Sequence, residues 1–176
     1  MSALFLDRDG VINKRIVGGY VTNPSEFVLI DGVLEALGIF ASRFDRVFMV
    51  TNQQGIGKGL MSVDDLNLIH DGFLQKVTES GGRIDKIYFC PALKSEHSFM
   101  RKPNIGMALM ARREYPDVVL RHSVMVGDTE SDMLFGRHAR MKTVLVGDDP
   151  GPALAKSHPH LVDAYYPDLL SFAKSL

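Results

Sequence analysis

The sequence predicts an α/β fold: one three-layer domain over residues 1–176, with a parallel sheet covered by helices on both faces. Three observations carry this. Short β-rich apolar runs alternate with longer helical patterns. The apolar runs are continuous instead of alternating, as expected of strands buried on both faces. Acids, amides and cations stand where these runs end, and open parallel sheets bind ligands beyond the carboxyl ends of their strands.

The first strand is Ala3–Leu6, which runs straight into Asp7-Arg8-Asp9-Gly10. The segment from Val11 to Glu26 carries Gly18, Gly19 and Pro24 and reads as a loop or hairpin. Val33, Leu34, Leu37 and Phe40 then form the apolar stripe of a helix. Val47–Thr51 is the second strand. Leu66, Ile69, Phe73 and Val77 give a second helical stripe, opened by a capping-box pattern of Ser62 with Asp65. Lys86–Phe89, Ser123–Val126 and Thr143–Val146 are further strands, with a short one at Ala164–Tyr166. Helices are expected from about Ile105 to Tyr115 and from about Glu130 to Arg140.

At 176 residues and 45% hydrophobic content the chain can bury a core without staples. A net charge of −1 argues against phosphate-dominated nucleic-acid binding. The single cysteine, Cys90, excludes an internal disulfide and suits a reducing compartment. No apolar run is long enough to span a bilayer, and the N-terminus lacks a signal-peptide pattern. A cytoplasmic, monomeric protein with no membrane or nucleic-acid partner is expected.

Four strand ends deliver chemistry to one rim. They are Asp7 and Asp9; Thr51 and Asn52 followed by Gln53 and Gln54; Arg101 and Lys102; and Asp128 with Asp132. Side chains alternate along a strand, so Asp7 and Asp9 can project the same way, and like charges that close call for a cation or a shared proton. Taken alone, the pair reads equally well as turn formers. An EF-hand is excluded, because its twelfth position falls on Gly18. Gly55-Ile56-Gly57-Lys58-Gly59 lacks Walker spacing and reads as a flexible turn. A receiver domain would place an acid after the third strand, where Cys90-Pro91 stands. Jointly, the groups describe phosphoryl transfer onto a carboxylate: a divalent cation on Asp7 and Asp128, a phosphate cradle from Thr51, Asn52 and Lys102, and a second acid in Asp9.

Asp7-Arg8-Asp9-Gly10-Val11-Ile12-Asn13, Val50-Thr51-Asn52-Gln53, Arg101-Lys102-Pro103 and Gly127-Asp128-Thr129-Glu130-Ser131-Asp132 together resemble the haloacid dehalogenase (HAD) superfamily over nearly the whole chain. The closer likeness is to its small branch of heptose bisphosphate and histidinol-phosphate phosphatases, carried by Asp7–Asn13, Thr51–Gly57 and Arg101–Pro103 with Gly106-Met107. The resemblance implies a Rossmann-like, HAD-like domain with a minimal cap that hydrolyses a small sugar phosphate, first heptose bisphosphate; histidinol phosphate and then phosphate monoesters of broad range are the alternatives. It implies Asp7 as nucleophile and Asp9 as general acid/base. Mg2+ would sit on Asp7, the Asp9 backbone carbonyl and Asp128. Thr51 and Asn52 would bind phosphate, Arg101 and Lys102 would grip phosphate and substrate, and Asp132 would support Lys102. Arg8, Gly18, Gly19, Tyr20, Gln53, Gln54 and Thr129 complete the expected substrate contacts.

Two departures from that branch stand out. Its zinc loop begins Cys-Pro-x-His and ends Cys-x-Cys; here Cys90-Pro91-Ala92-Leu93 and Ser98-Phe99-Met100 leave too few ligands, so no structural zinc is expected. Thr129 stands where that branch carries lysine or arginine. The histidines His70, His122, His138, His158 and His160 show no ligand spacing and read as surface or helix-end residues.

Overall fold

The computed structural model describes residues 1–148 and 151–176. Six strands, β1 (Ala3–Leu6), β2 (Arg46–Asn52), β3 (Lys86–Cys90), β4 (Val124–Gly127), β5 (Lys142–Val146) and β6 (Ala164–Tyr166), pair in the order β3-β2-β1-β4-β5-β6. Every pair is parallel. All the expected strands are present; β1 and β6 have the expected bounds, and the others differ by one residue at one or both ends. The helices are α1 (Val33–Arg43), α2 (Gln54–Gly57), α3 (Val63–Glu79), α4 (Gly106–Glu114), α5 (Glu130–His138), α6 (Gly151–Ser157) and α7 (Leu169–Lys174). The sequence reading missed α2, α6 and α7, each too short for a full apolar stripe.

Both faces of the sheet are covered, which is why the strands read as unbroken apolar runs. Leu4, Leu6, Val47, Met49, Val144 and Val146 join Phe40, Phe73 and Phe172 from α1, α3 and α7. Their neighbours Ala3, Phe5, Phe48, Val50 and Met125 point to the opposite side, against Met107, Ala108 and Ala111 of α4 and Phe135 of α5. Burying each of the larger side chains, Val, Leu, Met or Phe, contributes about 1.5–3 kcal/mol relative to leaving it exposed. The capping box forms as expected: Asp65 N–H donates to Ser62 Oγ at 3.1 Å, and Ser62 N–H donates to Asp65 Oδ2 at 2.8 Å. No helix among the described residues is long and apolar enough to cross a membrane.

His70 is a correction. It is not a surface residue but a buried one, 5% exposed on the inner side of α3. Its position three and four residues from Phe73 and Leu66 places it on the apolar stripe. Burial, followed by the nearby Arg8 charge, pushes its pKa from 6.5 down to about 3. The unfolded chain therefore takes up this proton first, and stability falls as pH drops from about 6.5 toward 3. At pH 5 the cost is about 2 kcal/mol, from 1.36 kcal/mol per unit over roughly 1.5 units. Urea unfolding at pH 7 and pH 5 is expected to show a loss larger by that amount in the native chain than in His70→Leu. Equal losses would mean that His70 is not buried in neutral form.

The strand order sets the position of the site. The chain builds β1, β2 and β3 outward in one direction, then crosses to β4 on the other side of β1. The loops leaving β1 and β4 diverge there and open a crevice at the carboxyl ends. Asp7 and Asp128 are the residues that follow those two strands.

Candidate active site

Asp7 continues β1, its N–H bonded to Val126 O of β4 at 3.0 Å. Gly10 turns the chain sharply with φ at 91°, and a side chain there would run into the Asp128 carboxylate. Gly127 is needed for the same reason, since an added Cβ would collide with Asp132. Glycine at both positions is what lets the two acidic strand ends approach.

Lys102 lies at the centre. Its buried ammonium stands 2.7 Å from Asp7 Oδ1 and 2.6 Å from Asp132 Oδ1. Burial alone would lower its pKa, but Asp132 and then Asp7 outweigh that and hold it charged. Asp132 spends its other oxygen accepting from Thr129 Oγ1 at 2.6 Å and Thr129 N–H at 3.1 Å, the cap that starts α5. The expected support of Lys102 by Asp132 is thus present as a direct contact. Thr129 lines the cavity, but its hydroxyl is committed to that cap.

Asp9 is held from two sides. Oδ1 accepts from Arg8 at 2.8 Å and from Asn13 Nδ2 at 3.0 Å, while Oδ2 accepts from Gln53 Nε2 at 2.9 Å. Burial works to raise its pKa; Arg8, Asn13 and Gln53 together outweigh it and keep the carboxyl below the usual range. Arg8 borders the same cavity but spends its charge within the protein. Its side chain is 1% exposed and lies over the Phe27 ring, with Nε and Nη1 unpartnered, and its guanidinium orients Asp9.

Asn52 also differs from the simple expectation. Its amide clasps the main chain of Lys102, donating to the carbonyl at 3.1 Å and accepting from the N–H at 3.0 Å. That contact ties the end of β2 to the Lys102 segment. Thr51 is buried behind it, its hydroxyl accepting from Gln53 Nε2 at 2.8 Å, and it does not line the cavity.

The cavity has a volume of about 380 Å3. Asp7, Asp9, Asn52, Gln53 and Lys102 line it together with Gly18, Gly19, Tyr20, Gln54 and Arg101. Gln54 Nε2 donates to Tyr20 Oη at 2.8 Å, and Lys58 stands over the Tyr20 ring at 5.1 Å. The loop after β1 is thereby fastened to α2 as one wall. Arg101 donates to Ala92 O at 3.0 Å, which anchors it at the rim.

The acids press on one another. Ligand oxygens of Asp7, Asp128 and Asp132 all lie within 4.8 Å of one another. Burial, then the Asp132 charge, push Asp7 up to about 6 against the pull of Lys102. Burial, then Asp7 and Asp132, push Asp128 up to about 8. Both Asp132 oxygens are engaged by Lys102 and the Thr129 cap, which leaves Asp7, Asp128 and the Asp9 carbonyl as the hard donors that could face a cation. Sequence reasoning missed Arg15. Its Nη2 donates to Asp9 O at 3.0 Å and to Asp128 Oδ1 and Oδ2 at 2.9 and 2.8 Å. Positive charge is therefore what these oxygens converge on, and an oxygen donor set of this kind fits magnesium. Nothing in a lone basic residue of a glycine-bearing loop could have marked Arg15 in advance.

The HAD-hydrolase-like family matches residues 99–171. A D-glycero-alpha-D-manno-heptose-1,7-bisphosphate 7-phosphatase of Burkholderia mallei is 41% identical over 152 residues, 82% of this chain and 78% of the relative. A Helicobacter pylori relative, named for the beta anomer of that compound, is 38% identical over 146 residues, 82% of each chain. The crystal structure of D,D-heptose 1,7-bisphosphate phosphatase from B. bronchiseptica, complexed with magnesium and phosphate, superimposes with a TM-score of 0.90 at 31% identity. It covers 99% of this chain and 97% of that one.

Proposed function

Because the chain belongs to the HAD-like hydrolases and is a phosphatase of that family, we propose that it removes the 7-phosphate of D-glycero-D-manno-heptose 1,7-bisphosphate, with magnesium as cofactor. The observation that carries this reading is the Asp7 carboxylate lining the cavity, 2.7 Å from the buried Lys102 ammonium. Asp7, the Asp9 carbonyl and Asp128 would hold magnesium, which when bound supplies charge neutralisation between carboxylate and phosphate.

An Asp7 oxygen attacks phosphorus while the bond from phosphorus to the sugar oxygen breaks. The leaving oxygen takes a proton from Asp9. Asp9 then removes a proton from water, which attacks the aspartyl-phosphate, and the bond from phosphorus to Asp7 breaks to free phosphate. The lowered Asp9 pKa favours the second, basic half of that role. Lys102 holds charge developing on the phosphoryl oxygens. Thr51 and Asn52 shape the cradle beside it. Gly18, Gly19, Tyr20 and Arg101, which line the same cavity, would meet the sugar and its far phosphate.

The chain acts as a cytoplasmic monomer on this reading. Its single cysteine, buried Cys90 with Sγ 3.8 Å from Ser98 Oγ, argues for a loop built without zinc. A panel of heptose bisphosphate, histidinol phosphate and simple phosphomonoesters in magnesium buffer tests the substrate. The expected result is the highest kcat/KM on heptose bisphosphate with one phosphate released per molecule and the 1-phosphate kept. EDTA should abolish turnover and magnesium restore it. Preference for histidinol phosphate would overturn the assignment.

A further inference from the structure

Arg15 makes its three hydrogen bonds through a single nitrogen, and all three acceptors are oxygens of Asp9 and Asp128. These are the Asp9 carbonyl and the Asp128 carboxylate assigned above to the cation, so the inference rests on that metal reading. We propose that Arg15 and the divalent cation are alternative occupants of one set of oxygens, and that magnesium binds by exchange against the guanidinium.

The two cannot share the site. Magnesium requires its oxygens at 2.0–2.1 Å in near-octahedral geometry. A guanidinium nitrogen 2.8–3.0 Å from the same three oxygens occupies the region where the ion would sit. The two positive charges would also repel at close range through a partly buried medium. The acceptors themselves are fixed. Asp128 is 9% exposed in its side chain and abuts Gly10, whose missing Cβ makes the room for its carboxylate. Arg15 is the movable partner. Its side chain is 46% exposed, and its main chain sits one residue beyond Lys14, which is pinned to Val28 O at 2.8 Å. The guanidinium can therefore leave by side-chain rotation with no change in the fold.

Lys102 makes the contrast. It is 2% exposed, spans Asp7 and Asp132, and forms no hydrogen bond to Asp128. Magnesium on Asp128 and Asp9 displaces Arg15 and leaves Lys102 in place. The exchange gives the protein a counter-charge for Asp128 when magnesium is scarce, and it sets the apparent magnesium affinity by the strength of the contact being broken.

The test is a calorimetric titration of magnesium chloride alone, without substrate or phosphate, into the full chain and Arg15→Gln. A partly exposed ion pair supports a change of roughly threefold to tenfold, so R15Q should bind magnesium tighter by that factor. Arg15→Lys, with one point charge and no fork, should fall between the two. Thermal melts give a second readout: R15Q should melt lower than the native chain in EDTA, and saturating magnesium should close the gap. Magnesium affinity in R15Q equal to or weaker than native overturns the exchange, as does a melting deficit that persists in full magnesium. If R15Q does not fold, unchanged affinity in R15K overturns it equally. Tighter binding in R15Q supports the exchange whatever the substrate panel returns. No magnesium binding by the native chain sinks the metal assignment and the exchange together.

Discussion

Asp7→Asn should lower phosphatase turnover by at least about a thousandfold, because an amide cannot form the bond to phosphorus that a nucleophilic carboxylate does. The fold should survive. Asp7 pays for burial and for its proximity to Asp132, which is why its pKa is raised to about 6. An isosteric neutral amide relieves both, and its oxygen can still accept from Lys102. Melting in EDTA is thus expected within a few degrees of the native chain. Asp9→Asn gives the complementary result. Asp7 remains able to take the phosphoryl group, but the water that removes it loses its base. Mass spectrometry of a quenched reaction should show the phosphorylated chain accumulate in D9N and never in D7N. A D7N protein that still turned over would remove the nucleophile, and with it the proposed chemistry.

How much of this was legible in the sequence differs by level. The strands were readable because β1, β2, β4 and β5 are buried on both faces, which leaves a continuous apolar signature. Their order followed less directly, since it depends on the crossover from β3 to β4 and no residue encodes that crossover locally. The acids and Lys102 were legible because each stands just past a strand end or a short segment beyond one. What those residues touch was not. Arg8, Asn52 and Gln53 read as substrate contacts, yet their side chains bind Asp9 and the Lys102 main chain. A polar residue in a motif can serve the ligand or another motif residue, and spacing alone does not separate the two. Arg15 and His70 were missed for a related reason: one acts across 113 positions of sequence, on Asp128, and the other by being buried on a helical stripe.

Lys102→Met should be the most destabilising single change at the site, and it should also cut turnover by about a hundredfold to a thousandfold. The stability argument starts from burial. Lys102 is 3% exposed and its charge is sustained only by Asp7 and Asp132, themselves 7% and 1% exposed. Removing one partner of a buried ion pair leaves the others uncompensated, at a cost of about 3–5 kcal/mol. The apolar methionine fills most of the lysine stem's volume, so the loss is electrostatic and not a cavity effect. That makes the claim separable by a double-mutant cycle. Asp132→Asn removes the carboxylate that the missing ammonium strands, while its amide can still accept from the Thr129 cap through oxygen. The double variant Lys102→Met, Asp132→Asn should therefore be more stable than Lys102→Met alone, and its total loss smaller than the sum of the single losses. Strictly additive losses in urea unfolding would mean that Lys102 and Asp132 are not energetically coupled, and that the 2.6 Å contact between them does not hold the catalytic lysine in place.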